Sequence, residues 1–320
     1  MSTAMTLQVL MCRPTHFDVT EKDKHGNTHM DPARRPDRAR AHEQYEALLH
    51  IYAALGIRVV FVEPGHGLTD MTFTANCGFV FGNSNKKSVV LSNFRPERRR
   101  GEQELFSLFF PEQLGYKTLF LPPSVYFEGS GDAIPFGDAV FVGHGFRTSH
   151  EAIPYLRAMT GKPIIPLKLK KSAEGNAIQY HLDTAMSVFE DERIVIAYRG
   201  AFTEKSYARL KRAVAEAKGK LFEAAYEDAA SLALNTVVVP KKDIAPGNGG
   251  RALFSMRRGM GILLALESDT PRFRGVAITS DTASAGLLRT IETCGYYPIT
   301  VPLGEFIKSG GGAFCLTKIL

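Results

Sequence analysis

Gly275–Val301 reads GVAITSDTASAGLLRTIETCGYYPITV. Gly275 to Ile278 is a short run of small and β-branched residues, Thr282 to Cys294 carries apolar residues at helical spacing, and Tyr297 to Val301 returns to β-rich composition. The stretch therefore predicts strand, helix, strand, with Asp281 as a candidate N-cap for the helix.

The same alternation runs outward to both ends. Leu7 to Met11, Ile57 to Val62, Ser88 to Leu91, Ala139 to Val142, Ile164 to Leu169, Ile194 to Ala197 and Thr236 to Val239 predict strands. Pro36 to Leu55, Gly101 to Gln113, His150 to Thr160 and Glu204 to Lys218 predict helices, the third with Ser149 as candidate cap. The fold class is α/β throughout. About five such modules fit the length, which is compatible with a repeated unit, although the residues show no clear self-similarity. Periodicity alone equally permits a doubly wound sheet. No low-complexity linker divides the chain, which favours one compact domain over residues 1–320. Ala245 to Arg274, with Gly247, Gly249, Gly250, Gly259 and Gly261, departs from the alternation and predicts an insertion. Its glycines lack the lysine and hydroxyl residue of a phosphate-binding loop.

The composition is that of an ordinary folded chain, 44% hydrophobic and 22% charged, which excludes wholesale disorder and fibrous architectures. The N-terminus has no basic segment ahead of its apolar stretch, and the longest apolar run, Gly259 to Leu266, is too short to span a bilayer. A cytoplasmic protein without membrane association is the expectation. The net charge of +6 raises the question of a nucleic-acid partner. Acidic residues interrupt the basic ones even in the densest cluster, Arg95-Pro96-Glu97-Arg98-Arg99-Arg100, so a solvated face is the better reading and no nucleic acid is expected. Cys12, Cys77, Cys294 and Cys315 show neither a paired nor a zinc-type spacing, so reduced thiols and no metal are expected. A homo-oligomer is left open.

Chemistry concentrates in four segments. Lys308-Ser309-Gly310-Gly311-Gly312-Ala313-Phe314-Cys315-Leu316 leads three glycines into a cysteine, and glycine backbones can turn several N–H groups toward one thiolate. The bland alternative is a flexible loop before a buried, inert thiol. Tyr180-His181-Leu182-Asp183-Thr184 alternates with period two, which would set His181 and Asp183 on one face of a strand, as a functional pair or as an exposed polar face. Gly67 to Asn76 and Phe127-Glu128-Gly129-Ser130-Gly131-Asp132 place acids at turns, and the glycines around Glu128 suit a binding loop, although each reads alone as turn chemistry.

These segments, with Met11 to Val19, Gly145-Phe146-Arg147-Thr148-Ser149, Asn235-Thr236-Val237 and Glu305 to Thr317, resemble in order the pentein hydrolases. That group includes arginine deiminase, dimethylarginine dimethylaminohydrolase and arginine dihydrolase. The resemblance implies a five-bladed α/β propeller of strand-strand-helix-strand modules around a central channel. It implies Cys315 as nucleophile, His181 as general acid/base and Glu128 as the carboxylate that binds the guanidinium. Asp70 then lines the substrate pocket, and Arg147 and Arg95 clamp the substrate α-carboxylate, a role suited to the guanidinium fork. No cofactor is implied. The expected reaction is attack of Cys315 on a guanidinium carbon, with His181 protonating the departing amine and then activating water. Asp183 matches arginine deiminase and disfavours methylated nitrogens, which have no hydrogen to donate to it. Asn76 matches the arginine dihydrolases, because an amide can both donate to and accept from a ureido group. Asn27, in Asn27-Thr28-His29-Met30, follows their Asn-Pro-aromatic-Met segment loosely, after a small insertion. The expectation is arginine to ornithine with two ammonia released. N-methylated arginine hydrolysis to citrulline, amidino transfer and a silent ligand-binding pentein stand as the alternatives.

Overall fold

The computed structural model describes residues 7–83, 86–172, 179–244 and 273–320. Its strands form five separate three-stranded sheets, which excludes the doubly wound alternative. They are β1 (Gln8–Cys12) and β2 (Arg58–Val62); β3 (Gly78–Asn83), β4 (Lys86–Leu91) and β5 (Lys117–Leu119); and β6 (Ala133–Phe136), β7 (Ala139–His144) and β8 (Ile164–Lys168). Then come β9 (Met186–Phe189), β10 (Ile194–Ala197) and β11 (Lys220–Glu223); β12 (Val237–Pro240), β13 (Gly275–Ser280) and β14 (Tyr296–Val301); and last β15 (Lys318–Ile319), which completes the sheet of β1 and β2.

Every sheet obeys one rule. Its first strand pairs antiparallel with its second, and the second pairs parallel with its third, as in β3-β4-β5 and β15-β1-β2. A parallel pair needs a crossover, and each has a helix to make it. The crossovers are α1 (Arg38–Ala54), α2 (Glu102–Leu114), α4 (Ala152–Thr160), α6 (Glu204–Glu216) and α8 (Ala285–Thr293). Four shorter helices, α3 (Gly129–Asp132), α5 (Leu182–Ala185), α7 (Tyr226–Ala230) and α9 (Gly304–Ile307), lie in the connections. The register Val9↔Ile319 closes the ring of modules.

The crossover helices bury one face against the sheets. Ala41, Tyr45, Leu48 and Tyr52 of α1 pack with Val9, Met11, Val276 and Ile278, while Tyr207, Leu210 and Val214 of α6 pack with Leu167, Val195 and Ala197. Each such side chain contributes roughly 1.5–3 kcal/mol by leaving water. α1, α6 and α8 start where a side chain supplies the missing acceptor: Asp37 accepts from Arg40 N, Thr203 from Ser206 N and Ser284 from Leu287 N.

Three local expectations are corrected. Ser284, not Asp281, caps α8. Ser149 does not cap α4, because its hydroxyl accepts from Tyr126 N (3.1 Å) and donates to Tyr126 O (3.2 Å). Tyr180 to Thr184 is no strand: His181 is the extended residue before the single helical turn α5. The insertion expected at 245–274 lies outside the described residues except for Phe273 and Arg274. Among the described residues, no helix is long and apolar enough to cross a membrane.

Candidate active site

The first strand of each sheet is entered through a tight turn, and these turns carry the site. The 3-10 turn Thr74–Cys77 precedes β3, α3 precedes β6, α5 precedes β9, the turn through Asn235 precedes β12, and the turn through Cys315 precedes β15. Asn76, Glu128, His181, Asp183, Asn235 and Cys315 thus sit at related positions of successive modules, which touch one another around the axis. Local chemistry makes such turns tight: Gly131 is packed so closely that a Cβ there would meet Asn76 Nδ2 at 2.2 Å. Gly310 has φ +85, a left-handed backbone natural to glycine, and brings the chain against Asn27.

The turns converge on one small cavity lined by Asn27, Asp70, Asn76, Arg98, Arg147, Tyr180, His181 and Cys315, among others. Its volume is about 10 Å³, the room of one water. Glu128 stands at its back, fully buried, with Oε2 2.8 Å from His181 Nε2 and 3.0 Å from Arg147 Nη1. Burial alone would raise its carboxyl, yet the Arg147 charge and the His181 hydrogen bond outweigh that and hold it well below the usual range. His181 Nδ1 lies 3.5 Å from Asn76 Nδ2, so the ring is held from both sides.

Cys315 Sγ is 3.2 Å from Asp183 Oδ2 and accepts from Asn235 Nδ2 at 3.1 Å. Burial and the Asp183 carboxylate push the thiol well above its ordinary range, opposed by the Gly312 N–H and Asn235. The expected glycine nest is largely spent elsewhere, since Gly310 N donates to Ile307 O and Gly311 N to Phe306 O. Asp183 is itself raised to about 7 by burial, against hydrogen bonds from Cys315 and Asn235. Its Oδ1 has no hydrogen-bond partner among the described residues. It lines a separate cavity of about 270 Å³ with Ser130, Thr236, Phe314 and Lys318. Burial raises both neighbouring acids, so a cation placed beside them would favour their charged forms.

The structure thus brings together Cys315, His181, Glu128, Asp183, Asn76, Asp70, Asn27 and Arg147. Asn27 Nδ2 donates to Ser309 O (2.8 Å), and Ser309 Oγ lies 3.3 Å from Asp70 Oδ1. Arg95 is placed differently. Only its backbone N–H reaches Glu128 (3.3 Å), and its guanidinium turns outward to Phe146 O (2.7 Å) and the Tyr126 ring. Arg98, three residues on, lines the cavity instead, with Nε 2.7 Å from Asp70 Oδ2 and Nη1 2.9 Å from Asp23 Oδ1. Asp23 and Asn235 are the residues sequence reasoning missed. Asp23 is a buried acid that joins Arg98 to Arg147 and accepts from the N–H groups of His25 and Asn27. Asn235 stood inside a family-like segment with no role attached, whereas Asp23, in the small insertion, gave no signal.

A family model described as N,N dimethylarginine dimethylhydrolase, eukaryotic, matches residues 13–249. The chain belongs to this family. Among curated relatives of the family member described here, the bifunctional arginine dihydrolase/ornithine cyclodeaminase AgrE of Nostoc sp. is 31% identical over 97% of the chain. The chain spans only 37% of that protein's length. The N(G),N(G)-dimethylarginine dimethylaminohydrolase of Mycobacterium tuberculosis is 28% identical over 98% of the chain and 86% of its own. Among solved structures, the product-bound N-terminal domain of ArgZ, an arginine dihydrolase from cyanobacteria, superposes with a TM-score of 0.76 at 26% identity, covering 98% of this chain and 97% of that one. The five-sheet ring of this family member is the pentein fold.

Proposed function

We propose that the chain is a cysteine-dependent hydrolase of guanidino compounds, with arginine as substrate and ornithine as end product. The observation that carries this is that Cys315 and His181, from separate modules, line one small cavity, with Glu128 2.8 Å from His181 Nε2 and Asp183 3.2 Å from Cys315 Sγ. A guanidinium carbon is a weak electrophile, so it must be held by anions and met by a strong nucleophile. An arriving guanidinium supplies the positive charge that the raised Cys315 thiol and Asp183 lack, and so favours the thiolate.

Cys315 Sγ then bonds to the guanidinium carbon, and one C–N bond breaks as His181 gives a proton to leaving ammonia. His181 takes a proton from water as water attacks the thiouronium carbon, and the C–S bond breaks to return the thiol. Proton transfer of this kind contributes about 10²–10⁴-fold. That turnover gives citrulline; a second one on the ureido carbon, with another water, gives ornithine, ammonia and carbon dioxide. Asn76, amide against His181, can both donate to and accept from the neutral ureido group. Asp183 beside the nucleophile disfavours methylated nitrogens, which cannot donate to it.

Incubation of the purified chain with arginine, with citrulline and with asymmetric dimethylarginine, followed by amino-acid and amine analysis, tests the reading. Ornithine from arginine, lost in Cys315→Ser, is expected. Citrulline with dimethylamine from the methylated substrate alone would replace arginine by its methylated relative, and no turnover, with no labelling of Cys315 by a haloacetamidine, would make the chain a binding protein.

A further inference from the structure

The chain's net charge of +6 is unevenly spread, and one cavity carries much of it. This cavity, of about 660 Å³, lies between the third and fourth modules and shares no lining residue with the catalytic one. Arg95, Lys168, Lys171, Lys205 and Arg209 line it, and Glu151 is the one acid among the described lining residues. None of the five cations forms an ion pair among the described residues, whereas Arg98, Arg99 and Arg147 in the catalytic region are each paired. Like charges gathered without counterions repel one another, a cost that a bound anion removes. Hydrogen bonds hold the walls in place. Thr203 N donates to Lys168 O (3.2 Å) and Lys168 N to Ser206 Oγ (2.8 Å), which ties the end of β8 to the start of α6, and Arg209 Nη1 donates to Pro166 O (2.6 Å). Arg95, whose guanidinium turns away from the catalytic cavity, lines this one instead.

His144, at the end of β7, is an independent sign of a ligand. It is 9% exposed and lines the cavity, its ring packs edge-on against His150 at 5.0 Å, and neither ring nitrogen has a hydrogen-bond partner among the described residues. Buried polar groups rarely stay unpaired. Burial, then the charges of His150, Lys168 and Arg209, hold His144 down at about 4 against the pull of Glu151. The positive surroundings that disfavour its proton favour an anion. Both α4 and α6 begin at the cavity, and a helix start carries roughly half a positive charge. The described lining includes no apolar side chain, which argues against a nucleobase pocket, a lipid tail or an aromatic cofactor. We propose that this cavity binds a chain of phosphates, either the phosphates of a nucleotide or an inorganic polyphosphate. The cations enter from three segments, around Arg95, Lys168 and Lys205, so an anion charged along its length meets more of them than a single phosphate does. The inference goes beyond the guanidino chemistry proposed above and does not rest on it.

Calorimetry on the full chain at low salt, with tripolyphosphate, ATP and orthophosphate, tests the site. Tripolyphosphate is expected to bind about tenfold or more tighter than orthophosphate, one further charge-assisted contact being made. It is expected to weaken about tenfold as NaCl rises and screens the cations. At about a hundred times its Kd it raises Tm by about 4 °C. ATP bound as tightly as tripolyphosphate makes the phosphates alone the recognised group, and ATP bound about tenfold tighter makes the occupant a nucleotide; either supports the site. Lys205→Glu with Arg209→Glu is expected to weaken tripolyphosphate about 100-fold, two charge-assisted contacts being lost. Lys117→Glu with Arg289→Glu makes the same change in net charge at exposed residues outside the cavity and is expected to weaken it less than about threefold, as screened distant charges do. Lys205→Glu alone, expected to weaken binding about tenfold, carries the test where a melt shows the first pair unfolded. Equal losses in the two pairs mean adsorption to net charge and overturn the site. Absence of saturable binding up to about 1 mM overturns it as well, and either failure leaves the guanidino reading standing.

Discussion

Replacing Asn235 by alanine removes a side chain that holds both the Cys315 thiol and the turn that carries it. Asn235 is fully buried; its Nδ2 donates to Cys315 Sγ (3.1 Å) and Asp183 O (3.3 Å), and its Oδ1 accepts from Gly312 N (3.1 Å) and Cys315 N (2.9 Å). Alanine leaves two buried N–H groups without acceptors, at about 1–3 kcal/mol each, so a loss of roughly 4 kcal/mol is expected. With an unfolding entropy of about 2.1 cal/mol/K per residue over 320 residues, near 0.7 kcal/mol/K in total, that is a fall in Tm of about 6 °C. The chemical effect separates from the structural one in Asn235→Asp. A carboxylate still accepts from both N–H groups, but it offers the thiolate no donor and adds a second negative charge beside Asp183. A hydrogen bond to a charged group contributes about 1.5–3 kcal/mol, so the thiolate population at neutral pH, and with it the rate of haloacetamidine labelling at Cys315, is expected to drop about 10–100-fold. Labelling sites are read by mass spectrometry, since Cys12, Cys77 and Cys294 are buried as well. Wild-type labelling rates across the pH range in a folded Asn235→Asp protein would refute the role of Asn235 as thiolate donor.

Two further outcomes follow from geometry and charge. Asp183 is raised to about 7 in the fold, so the folded state binds its proton more tightly than the unfolded chain does, and stability falls as pH rises from about 4 through 7. Asp183→Asn therefore gains Tm over wild type at pH 8 and not at pH 4 when melts are compared; equal differences at both would show that Asp183 does not titrate in this window. Gly131→Ala sets a Cβ 2.2 Å from Asn76 Nδ2 and 3.3 Å from His181 Nδ1, so Asn76 must shift, and kcat on arginine is expected to fall about 10²-fold, as misplacements near 1 Å do. An unchanged kcat would mean that Asn76 is not held for the reaction.

The site stores its charges in a continuous chain, Asp70 to Arg98 to Asp23 to Arg147 to Glu128 to His181. Each member is satisfied by its neighbours, which explains how so many charges tolerate burial. The Asp23 carboxyl is pulled below its usual range because Arg147 and Arg98, with the Asn27 N–H, outweigh its burial. Loss of an inner member unpairs two others, so the chain acts as a unit.

The amino-acid sequence by itself determined the module and the chemistry. Strands buried on both faces, such as β10 (Ile194–Ala197) and β13 (Gly275–Ser280), are continuous apolar runs, and their crossover helices carry a legible period of 3.6. Of the first strands, β12 (Val237–Pro240) was legible as Thr236 to Val239, but others were not: β15 has two residues, β6 contains Pro135, and β3 begins and nearly ends in glycine. The five entering turns share a backbone position but hardly a residue, with Asn76, Glu128, His181, Asn235 and Cys315 in different local contexts, so no repeat shows in the letters. Cysteine, histidine and acids announced a site because their chemistry is carried by residue type. Which arginine enters it, that Asp23 reaches it from a loop without periodicity, and that Arg147 sits on Glu128 were decided only by tertiary structure. Those choices depend on distances between residues 19 to 124 (147 less 23) positions apart, set by closure of the ring and absent from any local pattern.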